Sequence, residues 1–181
     1  FSRSNKIEIK KSIEGLYGVQ VEKVRILVMP SKERRLGRFE GEKAGFKKQF
    51  VQINHSKSQK NVLRGLHYQK DPMAQAKLVR VIAGEIFDVA VDLRKGSPWH
   101  GQWVGVNLNS DDLKMLYIPE GFAHGFQTLT DSAEVFYQMS QWYHPESSAG
   151  VRWNDPAFAI DWPLEVTAIS AKDREYPEYQ P

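Results

Sequence analysis

From residue 50 onward, short apolar segments alternate with turn residues every ~8–12 positions. The predicted strands are residues 50–55, 62–68, 77–83, 85–93, 102–108, 115–118, 124–128 and 134–143. Residues 167–174, near the end, are the one stretch predicted to form a short helix. Many short strands with few helices are typical of a sandwich or barrel. The sequence therefore predicts an all-β fold, a double-sheet jelly roll.

A different pattern precedes these strands. Residues 24–29 form an apolar segment that Pro30 stops, and the chain is then rich in Gly and charge to about Lys48. A length of 181 residues is typical of one domain with a sizeable core. We therefore expect a single domain over residues 1–181, in which residues 1–48 form a strand and a basic arm and residues 49–181 form the barrel and tail.

The positive charge is concentrated in this arm. Residues 23–48 hold nine basic and three acidic residues, a net charge of +6, so the remainder of the +3 chain carries −3. A phosphate-binding arm and a solvated loop both fit this charge. No zinc-finger, helix-turn-helix or ribonucleoprotein motif accompanies it, so a nucleic-acid partner is not expected.

The composition excludes several other classes of protein. The chain has no cysteine, which rules out disulfide frameworks, thiolate catalysis and cysteine-ligated zinc, and which fits a cytoplasmic protein. It also has no run of 18 apolar residues, so no membrane span is expected.

Two histidines are the first candidates for chemistry. Arg64 and His67 stand three residues apart in an otherwise apolar strand with Gly65 between them, and His124 follows a Pro and a Gly in the second half of the chain. Strand alternation predicts one face with Leu63, Gly65 and His67 and the opposite face with Arg64, Leu66 and Tyr68. A histidine on an interior face is either a hydrogen-bonded core residue or a catalyst, and the residues alone leave both open.

The motif Pro119-x-Gly121-x-x-His124 resembles the second motif of the cupin fold. The wider sequence resembles the nucleotide-sugar 3,5-epimerases of L-rhamnose synthesis, which act on dTDP-4-dehydro-6-deoxy-D-glucose. The matching runs are residues 50–56, 63–69, 77–80, 84–92, 101–106, 118–126 and 170–173. They lie in the family's order over about two-thirds of the chain, which makes the resemblance specific. It implies a cupin-type jelly-roll barrel.

The resemblance implies a reaction that inverts C3 and C5 of a hexose with a ketone at C4. It implies His67 as the base, paired with Asp173, and Tyr137 as the acid on the opposite face. A neutral imidazole suits proton abstraction near neutral pH. Lys77 and Arg64 match basic residues near the sugar and diphosphate, where positive charge would stabilise an enolate.

The resemblance extends to further substrate contacts. By the family pattern Tyr143 stacks on the thymine ring, and four more positions contact the substrate: Gln52, Asn54, His124 and Lys172. Without the resemblance, each of these residues also fits a purely structural role: Tyr143 in packing, Gln52 and Asn54 as an amide pair on a strand, His124 as a structural histidine and Lys172 as a lysine of the C-terminal tail. The family implies a cytoplasmic homodimer that uses no cofactor and no metal ion.

The N-terminal arm departs from the family pattern. Arg35 and Glu40 keep the five-residue spacing of a family motif that contacts the nucleotide, in part across the dimer interface. However, the Gly of that motif is displaced and the connection to the next strand is short. Ser148 stands where the family commonly has a glutamate, and Glu146 lies two positions earlier. We expect Arg35 and Glu40 to bind substrate, with the nucleotide preference left open.

Three alternatives to the double epimerase stay open. The first inverts only C3 or only C5. The second is a metal-dependent cupin oxygenase or isomerase, which needs a compact ligand set such as His-x-His with a carboxylate. The sequence has no His-x-His, and its five histidines are well separated. The third is a sugar-nucleotide binder without catalytic activity.

Overall fold

The computed structural model describes residues 49–180, all of which belong to one compact unit, Lys48–Pro181. The strands are β1 (Gln52–Gln59), β2 (Val62–Gln69), β3 (Lys77–Ala83), β4 (Glu85–Asp92), β5 (Trp103–Asn109), β6 (Met115–Ile118), β7 (Phe122–Thr128), β8 (Ser132–Met139), β9 (Ser148–Gly150) and β10 (Ala168–Ile169). A short 3-10 helix covers Pro145–Ser147, and α1 covers Ala171–Arg174. No described helix has the length and hydrophobicity needed to cross a bilayer. The predicted strand at 24–29 and the basic arm lie outside the described residues.

The strands form two sheets that face each other. One sheet has four strands in the order β1-β8-β3-β6, and the other has the order β10-β2-β7-β4-β5 with β9 paired to β2. All pairs are antiparallel except β10 with β2. The fold is therefore a cupin-type double-sheet jelly roll with a short C-terminal helix, which confirms the predicted fold class.

The predicted strand boundaries are close to the observed ones. Strands β3 and β6 begin and end where the sequence predicts. The largest boundary errors are at β1, which ends at Gln59 and not at His55, and at β8, which ends at Met139 and not at Tyr143. After β8 the chain leaves the sheet because the Gln69 side chain donates to the Trp142 carbonyl and accepts from the His144 amide.

The core and a cavity share the space between the sheets. Val79 and Val81 of β3 are buried in the core, while Lys77, two residues earlier, lines the cavity. On β8, Val135 belongs to the core and Tyr137 lines the cavity. Since side chains two positions apart share a face of a strand, the same inner faces supply the apolar core at one end and the polar cavity at the other. A second apolar cluster, including Leu66, Val89, Val91 and Phe158, lies on the outer face of the larger sheet.

A β-bulge interrupts β2. Arg64 pairs with Phe126 and His67 with His124, so three steps along β2 match two steps along β7. The extra residue shifts the alternation, and Arg64 and His67 both line the cavity, whereas Leu66 packs into the outer cluster. The predicted placement of Arg64 on the face opposite His67 is wrong for this reason.

Gly65 lies within this bulge. Its φ is +124°, and a Cβ there would lie 2.5 Å from the Cα of Gly125 on β7. Other residues rarely adopt this backbone conformation, and the neighbouring backbone leaves no room for a side chain. The bulge that places Arg64 and His67 together therefore requires glycine at this position.

Candidate active site

The cavity between the sheets has a volume of about 590 Å³, which is within the range of small-molecule sites. All ten predicted site residues in the described range line it, from both sheets and α1. They are Gln52, Asn54, Arg64, His67, Lys77, His124, Tyr137, Tyr143, Lys172 and Asp173. Arg35 and Glu40 lie outside the described residues, and their role stays a prediction.

His67 and Asp173 form a tight pair. The His67 Nε2 atom lies 2.6 Å from the Asp173 Oδ1 atom, and Asp173 is buried. With Nε2–H as the donor to the carboxylate, Nδ1 keeps its lone pair and can accept a proton. The aspartate thus fixes the tautomer and would stabilise the imidazolium after proton transfer.

Two backbone features hold Asp173 in place. The Gly65 amide donates to Asp173 Oδ2 at 3.2 Å, and Ser170, the N-cap of α1, accepts from the Asp173 amide at 3.0 Å. Burial pushes the pKa of Asp173 upward, but its hydrogen bonds with His67, Gly65 and Ser170 outweigh this effect, so the pKa is lowered. The carboxylate is therefore ionised at neutral pH.

Lys77 extends from β3 into the cavity. It is 8% exposed, and its Nζ donates to the His67 carbonyl at 3.2 Å. Burial lowers the pKa of Lys77 to about 8, against the opposing effect of the nearby Asp88 carboxylate. The ammonium is still charged at pH 7 and is poorly solvated, which is the condition in which it best stabilises a developing negative charge.

A second histidine–aspartate pair lies beside the first. His124 Nε2 is 2.6 Å from Asp88 Oδ1, and both side chains are buried. Burial lowers the pKa of His124, although the Asp88 carboxylate opposes this shift. His124 is therefore neutral at pH 7, and it stands opposite His67 in the β2–β7 pairing. The two pairs place two imidazoles against one wall of the cavity.

Asp88 was missed as a site residue in the sequence analysis. The signal was present, since it is an acid in the middle of the apolar strand Glu85–Asp92. An ionisable side chain is seldom buried in such a strand without a partner. Its partner, His124, is 36 residues away in sequence, and only the fold brings the two together.

Tyr137 reaches the cavity from the other sheet. It lies on β8, between Asn54 of β1 and Val79 of β3 in the register, whereas His67 lies on β2. A molecule in the cavity would therefore have the imidazole on one side and the phenol on the other. This is the arrangement that inversion at carbon needs.

The remaining polar residues line the mouth. Gln52 donates to the Asn54 side chain at 3.0 Å and accepts from the Tyr143 amide at 2.7 Å. The Tyr143 side chain is 54% exposed, so its ring is available to stack on a ligand. The Arg64 Nε donates to Ser58 Oγ at 2.9 Å, which orients the guanidinium.

The cavity lining also includes residues that were not predicted to bind substrate, among them Tyr68, Gln75, Ser148 and Tyr176. Glu146 lies in the 3-10 helix and is not among the residues that line the cavity. Within residues 49–180 there is no group of three or more His, Cys, Asp or Glu side chains arranged to hold a metal ion.

The family model described as dTDP-4-dehydrorhamnose 3,5-epimerase matches residues 35–180. The chain belongs to this family. It is 56% identical to the dTDP-4-dehydrorhamnose 3,5-epimerase of Salmonella typhimurium over 134 residues, which are 74% of this chain and 73% of the relative. The family resemblance read from the sequence is confirmed.

Two solved structures are also similar. The dTDP-6-deoxy-D-glucose-3,5-epimerase of Legionella pneumophila, in complex with dTDP-4-keto-L-rhamnose, is 43% identical with a TM-score of 0.70 and covers 93% of this chain and 75% of its own. A 3′-monoepimerase from Streptomyces bikiniensis, in complex with dTDP-quinovose, is 34% identical with a TM-score of 0.67 and covers 71% of this chain and 66% of its own.

A second family model, that of ribosomal protein L23, matches residues 2–60. This match covers about a third of the chain, and the structure describes only residues 49–60 of it. Arg35 and Glu40 fall where the two matches overlap, at residues 35–60. This overlap coincides with the departure of the arm from the epimerase pattern.

Proposed function

We propose that the chain is an isomerase that inverts C3 and C5 of dTDP-4-dehydro-6-deoxy-D-glucose to give dTDP-4-dehydro-L-rhamnose. The observation that carries the proposal is the cavity of an epimerase-family protein with the His67–Asp173 pair on one sheet and Tyr137 on the other. The solved relative with dTDP-4-keto-L-rhamnose supports the choice of sugar.

The proposed chemistry starts at the carbon next to the ketone. His67 Nδ1 takes the proton from C3 or C5, and the electron pair of the broken C–H bond moves into the carbonyl to form an enolate. Asp173 stabilises the resulting imidazolium. The ketone itself accepts the electron pair, so the step needs no redox cofactor.

The enolate oxygen then requires positive charge. Lys77 and Arg64 both line the cavity, and the Lys77 ammonium lies within hydrogen-bond distance of the His67 backbone. The poorly solvated ammonium is our proposed partner for the C4 oxygen. Tyr137 then donates its hydroxyl proton to the opposite face of the carbanion, which completes the inversion, and the base and acid return to their starting protonation states through solvent.

The nucleotide is proposed to occupy the mouth of the cavity. We assign Tyr143 to stacking on thymine, because its ring is exposed at the rim, and we assign Gln52, Asn54, His124 and Lys172 to polar contacts with the substrate. Arg35 and Glu40 are proposed as further nucleotide contacts on the spacing of their motif alone.

We also propose that the chain forms a homodimer. Gln52 and Asn54 of β1 line the cavity, so Ile53 between them points to the outer face of the four-stranded sheet. Ile53, Ile82 and Met115 are 48%, 44% and 44% exposed. Exposed apolar side chains on one face of a sheet are typical of a surface that a second copy covers. Light scattering after size-exclusion chromatography tests this, and a mass of one chain would refute it.

Because the proposed substrate is a soluble nucleotide sugar, we propose a cytoplasmic location.

Proton NMR with dTDP-4-dehydro-6-deoxy-D-glucose in D₂O tests the reaction. Deuterium at both C3 and C5 is the expected result. Exchange at one carbon would select a single-carbon epimerase, the activity named for the Streptomyces bikiniensis relative. Binding without exchange would select a non-catalytic binder. One tightly bound iron, manganese or nickel ion per chain, found by elemental analysis, would favour the metal-dependent alternative.

A further inference from the structure

Tyr176, in the C-terminal segment after α1, packs against the imidazole of His67. The two ring centroids are 5.8 Å apart and the ring planes meet at 70°, an edge-to-face contact. Tyr176 also lines the cavity. Burial raises the pKa of Tyr176, and the nearby Lys172 ammonium opposes this shift, so the phenol is neutral at pH 7.

Gly150 provides the space for this ring. It lies on β9 directly opposite His67 of β2. A Cβ at position 150 would stand 2.3 Å from the Cε2 atom of Tyr176 and 2.4 Å from its Cζ atom. Two carbon atoms cannot approach so closely, so any side chain at Gly150 would push the Tyr176 ring away from its place beside His67.

The contact supplies a restraint that the aspartate does not. The hydrogen bond from Nε2 to Asp173 fixes one atom of the imidazole, but the ring plane can still tilt about that atom. The His67 side chain is 41% exposed, so the protein leaves one side of it open. The edge-to-face contact with the Tyr176 ring restricts this tilt and holds Nδ1 toward the cavity.

We propose that Tyr176 is a positioning residue that sets the plane of the His67 imidazole. Position 150 requires glycine because a side chain there would displace the Tyr176 ring. The proposal rests on the proposed function, in which His67 is the base. It concerns the ring of Tyr176 and not its hydroxyl.

The first test compares Tyr176→Ala with Tyr176→Phe. Small displacements of a reacting group are costly, so Tyr176→Ala should lower kcat by about tenfold. Tyr176→Phe should recover most of kcat, because the ring is kept. Tyr179→Ala is the matched control. Tyr179 belongs to the same C-terminal segment, but its ring packs on that of Phe158, with ring centroids 5.2 Å apart. Its removal should leave kcat unchanged.

The second test is a double-mutant cycle. Gly150→Ala should lower kcat by about tenfold when Tyr176 is present, and should cause no further loss in the Tyr176→Ala background, where the clash no longer exists. An equal loss from Gly150→Ala in both backgrounds would show that the glycine serves the backbone alone, and would overturn its assigned role.

A readout independent of turnover separates this proposal from the proposed function. The ring protons of His67, followed by NMR in the substrate-free protein, should shift in Tyr176→Ala and in Gly150→Ala but stay near their wild-type positions in Tyr176→Phe. If these shifts occur while wild-type protein exchanges no substrate hydrogen, the proposed function fails and the positioning contact stands. Unchanged shifts and a kcat within twofold of wild type in Tyr176→Ala would overturn the positioning role.

Discussion

Lys77→Met should make the protein more stable and much less active. Burial lowers the pKa of Lys77 from its ordinary value of 10.5 to about 8. The difference, taken at ~1.4 kcal/mol for each pKa unit, means that the charged side chain destabilises the folded state by about 3 kcal/mol at neutral pH. Methionine fills a similar volume without charge. The lost hydrogen bond to the His67 carbonyl offsets about 1 kcal/mol, which leaves a gain of about 2 kcal/mol at pH 7.

This gain should depend on pH with a defined sign. Between pH 8 and 10.5 the folded protein has released the Lys77 proton while the unfolded chain still holds it. The unfolded state then binds more protons, so wild-type stability rises with pH across this window. The advantage of Lys77→Met should therefore be full below pH 8 and should disappear by about pH 10.5.

Urea denaturation at pH 7 and pH 10, at one fixed protein concentration, measures both effects. Turnover should fall by ~10²-fold or more, because the enolate loses its partner charge. The control is Lys57→Met, which removes an exposed lysine, 68% exposed and 3.0 Å from Glu134, and should change stability by less than ~1 kcal/mol at either pH. A Lys77→Met protein that is less stable than wild type at pH 7, or a stability difference that is the same at both pH values, would refute the argument.

Three further outcomes are expected. His67→Ala and Tyr137→Phe should each lower turnover by at least ~10²-fold, and a kinetic assay that finds either within a few-fold of wild type removes that residue from the mechanism. Gly65→Ala should lower the free energy of unfolding, measured in urea, by ~3 kcal/mol or more, because φ is +124° and the new Cβ would lie 2.5 Å from backbone. The control Gly96→Ala, where φ is +82° and no atom lies within 4 Å of the new Cβ, should cost only ~1–2 kcal/mol. Similar losses for both variants would contradict the steric argument. Burial pushes the pKa of Asp92 upward, but hydrogen bonds from its neighbours lower it to about 2. Asp92→Asn should therefore cost about 2 kcal/mol at pH 7, a difference that closes as pH falls from 4 to 2 and that acid-dependent unfolding would show.

The sequence determined the fold class and most of the strands. The alternation of apolar and polar residues between turn residues predicts both ends of β3 and β6 correctly, because the local preference for strand and the pattern of burial agree along them. The family motifs named His67, Tyr137 and Asp173, and the structure places all three at one cavity. Their catalytic roles stay predictions until turnover is measured.

Tertiary structure decided what depends on contacts between distant residues. The bulge at Gly65 puts Arg64 on the same side as His67, because Gly65 approaches a strand that begins more than 50 residues later. Strict alternation cannot predict this. The pairing of Asp88 with His124 likewise arises only where β4 lies beside β7.

The same reason applies to the electrostatics and to Tyr176. A sequence shows a lysine at position 77 but not that burial lowers its pKa to about 8. It shows a glycine at 150 and a tyrosine at 176, but not that the absence of one Cβ lets an aromatic ring rest against a histidine more than 100 residues earlier. The sequence specifies which residue types are present and their local order. Desolvation and ring packing are properties of the folded state, because they depend on which side chains exclude water from which others.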